Sequence, residues 1–183
     1  MLRELFGGAM SMAIPKNMTD ISLLRQVPDH QEVFADAQTD ASIIIEILES
    51  VPHKGIEALE YHYEQVSDLN ADDQPHQFLH VGPLSLDSVA KDSAFILCGQ
   101  QEAAKFNEGA QAKNTVVVCM ALLRLPEHST DILVTKNTPT RISSKSSSHT
   151  DSQQPMVVDA KRLLEEFTAM LKTFTINNRD IFG

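Results

Sequence analysis

Apolar residues occupy almost every position of residues 115–125. Successive side chains of a strand point to opposite faces of its sheet, so an apolar residue at every position needs cover on both faces. This pattern is typical of a central strand. The tight connection at residues 126–129 and the extended residues 130–135 predict its hairpin partner.

Shorter extended segments are predicted at residues 10–14, 31–35, 77–81 and 94–99. Together with the hairpin they give five or six strands, several of them joined by short turns. Because the central strand must be covered on both faces, the strands favour a mainly antiparallel sheet with helices on both sides.

Residues 41–51 bear most directly on function, because their apolar side chains recur at helical spacing. Asp40 would cap the N-terminus of this helix by accepting hydrogen bonds from its first backbone N–H groups. At about 3.6 residues per turn, four apolar side chains share one face: Ile44, Ile47, Leu48 and Val51. Glu46 and Glu49 then form an outward pair of carboxylates one turn apart.

Two further helices are predicted at residues 56–66 and 158–174, where apolar side chains again recur at helical spacing. A short helical turn at residues 21–24 is expected after a cap at Thr19 or Asp20. These helices supply the cover that the central strand requires.

The length of 183 residues fits one domain, since domains run to about 100–200 residues. We therefore predict a single domain spanning residues 1–183. Six serines lie between residues 143 and 152, and this composition predicts a flexible surface loop at residues 140–156.

The formal net charge is −10, from 25 acidic and 15 basic residues. This balance argues against nucleic acid, since phosphate binding needs clustered Lys and Arg, and it disfavours an acidic membrane surface. A basic protein partner would be attracted. The alternative is that the charge only keeps the protein soluble.

Targeting signals are not predicted either. No apolar run approaches the roughly 18–20 residues needed to span a bilayer, and the N-terminus reaches charge and glycine too early for a secretory signal. Cys98 and Cys119 lie in apolar, strand-like segments, which is typical of buried free thiols in a reducing compartment. We expect a cytosolic or nuclear protein.

Motifs for catalysis or cofactor binding are missing from the sequence. Gly7-Gly8 is the one adjacent glycine pair, and no phosphate-binding glycine motif occurs. His76 and His80 lie in a strand-like stretch, where four residues span about 13 Å, too far to share one metal ion. We therefore expect no catalytic residue, no metal and no cofactor.

Acidic residues are concentrated within 21 residues of the chain, at Asp29, Glu32, Asp36, Asp40, Glu46 and Glu49. Paired carboxylates can act as general acid and base, but such pairs usually lie in a desolvated cleft. An ordinary solvated face is the simpler alternative. The residues that we consider candidates for binding a basic partner are Asp29, Gln31, Glu32, Asp40, Glu46 and Glu49.

Several segments resemble the Mog family of Ran guanine nucleotide release factors. The most specific is Val-Pro-Asp-His-Gln-Glu-Val-Phe at residues 27–34, and residues 42–49, 121–126, 130–137 and 181–183 extend the likeness over nearly the whole chain. The match lapses in the serine-rich segment.

The resemblance implies a three-layer α/β/α sandwich around a mainly antiparallel sheet of about six strands, shared with the PsbP proteins of photosystem II. It also implies that the chain binds Ran as a monomer, releases its guanine nucleotide and serves nuclear protein import, in the nucleus and the cytoplasm. Acidic residues on the first long helix of the family are implicated in Ran binding, and they match Glu46 and Glu49.

Two other functions stay open at this point. One is a PsbP-like extrinsic or adaptor subunit of a membrane protein complex, which would need a plastid targeting segment. The other is a small enzyme that uses Glu46 or a histidine, which predicts a carboxylate with a perturbed pKa inside a concave pocket.

Overall fold

The computed structural model describes residues 1–68, 77–103, 114–142 and 159–182. Most of the predicted serine-rich loop, residues 143–156, and His76 therefore lie outside the described residues. The strands in the described ranges are β1 (Leu2–Leu5), β2 (Met10–Ala13), β3 (Thr19–Asp20), β4 (Gln31–Ala35), β5 (Ser42–Glu49), β6 (Gln77–Pro83), β7 (Ala94–Ala103), β8 (Asn114–Leu125), β9 (Thr130–Arg141) and β10 (Thr175–Ile176). The helices are α1 (Ile56–Asp68) and α2 (Ala160–Leu171), and short 3₁₀ turns lie at Phe6–Gly8, Ile21–Leu23, Pro126–His128 and Asp180–Phe182.

Two sheets organise these elements. The larger has seven strands among the described residues, in the order β3-β4-β5-β9-β8-β7-β6, and every neighbouring pair is antiparallel. The smaller has three, in the order β1-β2-β10. The expected mainly antiparallel α/β fold is confirmed, but the main sheet has one strand more than the six expected.

The apolar core is divided by the large sheet. On one face, Cys119, Ala121 and Leu123 of β8 belong to the cluster that contains α2 and the small sheet. On the other, Val118, Met120 and Leu122 belong to the cluster that contains α1. Strand β8 is therefore a central strand with cover on both faces, as its sequence predicted.

The prediction of a helix at residues 41–51 is wrong, because this segment forms strand β5. It pairs with β4 on one side and with β9 on the other, so both of its backbone edges are hydrogen-bonded within the sheet. Three consecutive isoleucines begin at Ile43, and β-branched side chains favour a strand. Asp40 does not cap a helix, since it has a positive φ of 55° in the turn before β5.

The other predicted elements are confirmed within the described residues. Helices α1 and α2 cover most of the residues of the two further helices that were predicted. The turn after Asp20 forms as expected, because the Asp20 side chain accepts from Ser22 N. Ile56, the first residue of α1, is 36% exposed, and the buried face of α1 is built from Ala58, Leu59, His62 and Tyr63.

Candidate partner-binding surface

Strands β4 and β5 place Gln31 directly opposite Glu46. Directly opposite residues of antiparallel strands share one face of the sheet. The Gln31 Nε2 donates a hydrogen bond of 2.6 Å to Glu46 Oε1, and both side chains are partly buried. The amide therefore holds the carboxylate in one position at the surface.

The structure separates Glu46 from Glu49. Ile43 and Ile45 point toward α2 and the small sheet, so Glu49, six residues after Ile43, shares their face. Glu46 points to the opposite face and is partly buried, whereas Glu49 is exposed at the end of β5. The predicted pair of carboxylates one helical turn apart is therefore wrong.

Asp29 lies beside this end of β5. Its neighbour His30 accepts a hydrogen bond of 2.9 Å from Ile47 N through its backbone carbonyl, which ties the turn before β4 to β5. Asp29 itself is exposed. We call Asp29, Gln31 and Glu46, together with Glu49 on the other face of the sheet, the acidic end of the β4–β5 hairpin.

Asp40 does not belong to this group. It lies in the connection between β4 and β5, at the other end of a strand of five residues, which spans about 17 Å. Its backbone N–H donates to Asp36 O at 2.9 Å, as part of the turn that closes the hairpin. The structure therefore does not bring Asp40 together with Asp29 and Glu46.

Glu32 and Asp36 serve the fold. Glu32 Oε1 accepts a hydrogen bond of 2.7 Å from Phe6 N, which joins β4 to the turn between β1 and β2. Asp36 is buried and accepts from Gln38 N, Thr39 Oγ1 and Asn17 Nδ2. These bonds, that from the Gln38 backbone above all, hold the pKa of Asp36 below its usual value despite the cost of burial.

A buried charged network on β8 and β9 was missed by sequence reasoning. Asp131 is completely buried, and it accepts two hydrogen bonds from Arg124, from Nε at 2.7 Å and from Nη2 at 2.8 Å. His62 Nε2 of α1 lies 3.0 Å from Asp131 Oδ2. Burial alone would raise the pKa of Asp131, but the hydrogen bonds from Arg124 and His62 outweigh it and lower that pKa.

This network fixes the chain segment that leads into α1. Val51 N donates to Asp131 Oδ2 at 3.2 Å, and Arg124 Nη1 donates to His53 O at 2.6 Å. The signal was present in the sequence, because counting from the predicted 126–129 connection places Arg124 opposite Asp131, and both interrupt apolar strands. The Arg124–Asp131 pair therefore has a structural role: it holds the loop before α1, and Asp131 is buried away from any partner.

The described residues also bear on the alternatives of a metal site and of a catalytic pocket around Glu46. No group of three or more His, Cys, Asp or Glu in them could hold a metal ion. Cys98 and Cys119 are buried, neither forms a disulfide, and their Sγ atoms are 2.8 Å apart. A cavity of about 370 Å³ lies between α2 and the β4–β5 connection, with neither Glu46 nor Glu49 in its lining. None of the helices in the described ranges is long and apolar enough to cross a membrane.

The fold and this surface define an α/β protein with a mainly antiparallel sheet and an acidic hairpin end. Residues 3–139 match the family model described as "Ran-interacting Mog1 protein". The chain belongs to this Mog1 family.

Similar proteins cover nearly the whole chain. The "Ran guanine nucleotide release factor" of Danio rerio is 40% identical over 100% of both chains, and that of Homo sapiens is 38% identical over 98% of this chain and 95% of its own. Among solved structures, the Ran-binding protein Mog1p of Saccharomyces cerevisiae has a TM-score of 0.74 and 25% identity, and the match covers 100% of this chain and 98% of that one.

Proposed function

We propose that this protein binds the small GTPase Ran, promotes release of the guanine nucleotide bound to Ran, and thereby serves nuclear protein import. The observation that carries the proposal is full-length similarity to proteins named Ran guanine nucleotide release factor. A relative from Saccharomyces cerevisiae is named a nuclear import protein, and the similar solved structure is described as Ran-binding.

The acidic end of the β4–β5 hairpin is the proposed contact for Ran. Asp29 and Glu49 are exposed, and Glu46 is held at the surface by Gln31. Because Glu32 and Asp36 are engaged in hydrogen bonds within the fold, they are poor candidates for the contact. Carboxylates grouped at one end of the hairpin would attract a basic patch and orient it during encounter.

The proposed action is regulatory and needs no catalytic residue in this chain. A binder shifts an equilibrium between two forms only by the difference in its affinity for them. The protein would therefore bind the form of Ran with weakened nucleotide contacts more tightly than the fully loaded form. It would act as a monomer without a cofactor, in the nucleus and the cytoplasm, where an import factor meets Ran.

The test is the rate at which Ran loses a fluorescent guanine nucleotide, with and without the chain. We expect the wild-type protein to accelerate release. Glu46→Lys should reduce the stimulation about tenfold at low ionic strength, because it reverses a charge at the contact. Glu165→Lys is the matched control, since Glu165 is an exposed carboxylate on α2. Absence of any acceleration by the wild-type protein would refute the proposed function.

If the wild-type protein accelerates release and both variants match it, Ran binding stands but the acidic end is not the contact. Repeating the assay at higher salt sharpens this distinction. Salt screens exposed charges over about 8 Å at physiological ionic strength, so the difference between wild type and Glu46→Lys should shrink.

A further inference from the structure

Leu23 and Leu24 are the most exposed large apolar side chains among the described residues, at 77% and 74%. They are consecutive and lie at the end of the 3₁₀ turn Ile21–Leu23. Single exposed apolar residues are normal on protein surfaces. Two adjacent leucines that are both about three-quarters exposed form a small apolar projection, which we call the leucine pair.

The leucine pair is held in place by the fold. Asp20 Oδ1 accepts from Ser22 N at 2.8 Å and from Ser22 Oγ at 2.7 Å, and Leu24 N donates to Ile21 O at 2.9 Å. Strand β3, just before the turn, pairs with β4. Ordering these backbone groups before binding lowers the entropy that an interface must otherwise overcome.

The position of the pair connects it with the acidic end. The turn packs against β4, and the chain returns through Pro28, whose carbonyl accepts from Gln31 N at 2.9 Å. Asp20 and Asp29 therefore flank the leucines along the chain, and Gln31 continues to Glu46 across the hairpin. Arg25 is the one Lys or Arg between residues 20 and 31. The exposed leucine pair thus lies in a segment with an aspartate at each end, and its turn packs against the strand that carries Gln31.

We propose that the leucine pair is the apolar anchor of the Ran contact and inserts into an apolar depression on Ran that basic side chains border. This inference rests on the proposed function, and it adds an apolar contact to the proposed Ran-binding surface. Binding energy in protein interfaces concentrates in a few desolvated apolar or aromatic residues, while the charged rim mainly steers association. The acidic end supplies the rim, and Leu23 and Leu24 supply the part that becomes desolvated.

The experiment measures the Kd of Ran, loaded and nucleotide-free, for the wild-type chain and for Leu23→Ala/Leu24→Ala. We expect the Kd of the double variant to rise at least about tenfold, as for the loss of an interface anchor. Because both side chains are exposed, its thermal unfolding should match that of the wild type. Leu2→Ala is the matched control, since Leu2 is 65% exposed on β1 of the small sheet.

The salt dependence of the Kd distinguishes the role of the leucine pair from that of the acidic end. The loss of affinity in the leucine variant should be the same at low and high salt, whereas the loss in Glu46→Lys should shrink at high salt. A wild-type Kd for the folded leucine variant overturns the anchor and leaves the proposed function standing. If the wild-type chain binds neither form of Ran, both are refuted. Self-association of the wild type that the leucine variant abolishes would assign the pair to a second copy of the chain and also overturn the proposal.

Discussion

Glu46 and Asp131 are carboxylates on the same face of neighbouring strands, yet they have opposite roles. Glu46 pairs with Leu133 across β5 and β9, so Asp131 is its diagonal neighbour, about 7–8 Å away. Asp131 is completely buried and receives bonds from Arg124, His62 and the Val51 backbone. Glu46 is partly buried and receives a bond from Gln31.

The difference follows from the position of α1, which packs over β6, β7 and β8 and brings His62 onto Asp131. A carboxylate beneath a helix must be neutralised by fixed partners, since an unpaired buried charge is costly. A carboxylate at the edge of that cover keeps part of its hydration and stays available to another protein. Substitutions and changes of pH can test this contrast between a structural and an available carboxylate.

The largest effect is expected from Asp131→Ala. Removing one partner of a buried ion pair leaves Arg124 without its counter-charge, and such changes cost about 3–5 kcal/mol. Urea denaturation measures the free energy of unfolding. Asp29→Ala is the control, because an exposed substitution should change stability by no more than about 0.5 kcal/mol. Equal losses in the two variants would contradict the assignment of Asp131 as structural.

Gly99→Ala tests the packing of α1 that creates the contrast. A Cβ at Gly99 would lie 2.5 Å from Tyr63 Oη, and Tyr63 is buried in α1. Overpacking of this kind costs about 1–3 kcal/mol.

The matched control for this change is Gly82→Ala on the edge strand β6. There the nearest atom to a Cβ would be His80 Nε2, at an ordinary contact distance of 3.5 Å. Thermal unfolding of both variants gives the comparison. A melting temperature for Gly99→Ala as high as that of Gly82→Ala would show that α1 tolerates a shift over the sheet.

Acid should weaken the protein through its structural carboxylates. The folded pKa values of Asp131 and Asp36 lie below their ordinary values. The stability that each contributes is therefore complete above the unfolded pKa, about 3.9, and is lost as pH falls through the folded pKa. The free energy of unfolding should fall below about pH 4. The variant Asp36→Asn/Asp131→Asn should show a flatter pH dependence, and an unchanged slope would exclude these two groups as its source.

The smallest effect concerns the hydrogen bond between Gln31 and Glu46. A double-mutant cycle with Gln31→Ala and Glu46→Ala should give a coupling energy of about 0.2–1 kcal/mol, as for other cross-strand pairs. Nucleotide release from Ran should be more sensitive than stability to both changes. A coupling near that of a buried ion pair would place Glu46 among the structural carboxylates.

Much of the fold was predictable because its signals are local. The continuous apolar run of β8, the short connection after it and the helical spacing in α1 and α2 each reflect how one segment meets the core. The short β8–β9 connection also carried enough information to place Arg124 opposite Asp131, although sequence reasoning missed this pair. The acidic character of residues 29–49 was also evident from the sequence.

Residues 41–51 show where local signals fail. Their apolar residues fit a helical face, but β4 and β9 offer hydrogen-bonding edges on both sides of this segment, and pairing in the sheet overrides a weak helical preference. Because the segment is a strand and not a helix, Glu46 and Glu49 point to opposite faces of the sheet. A surface that depends on which face a side chain occupies could not be derived from spacing alone.

The sequence by itself determined that this is an acidic α/β chain of the Mog1 family with a central strand covered on both faces. Only the tertiary structure decided which of its carboxylates face outward. Glu32, Asp36 and Asp131 are bound within the fold by partners from distant parts of the chain or from its turns, while Asp29 and Glu46 remain at the surface. The physical reason is that the hydration of a charge depends on what packs over it, and that depends on long-range contacts that composition and periodicity do not encode.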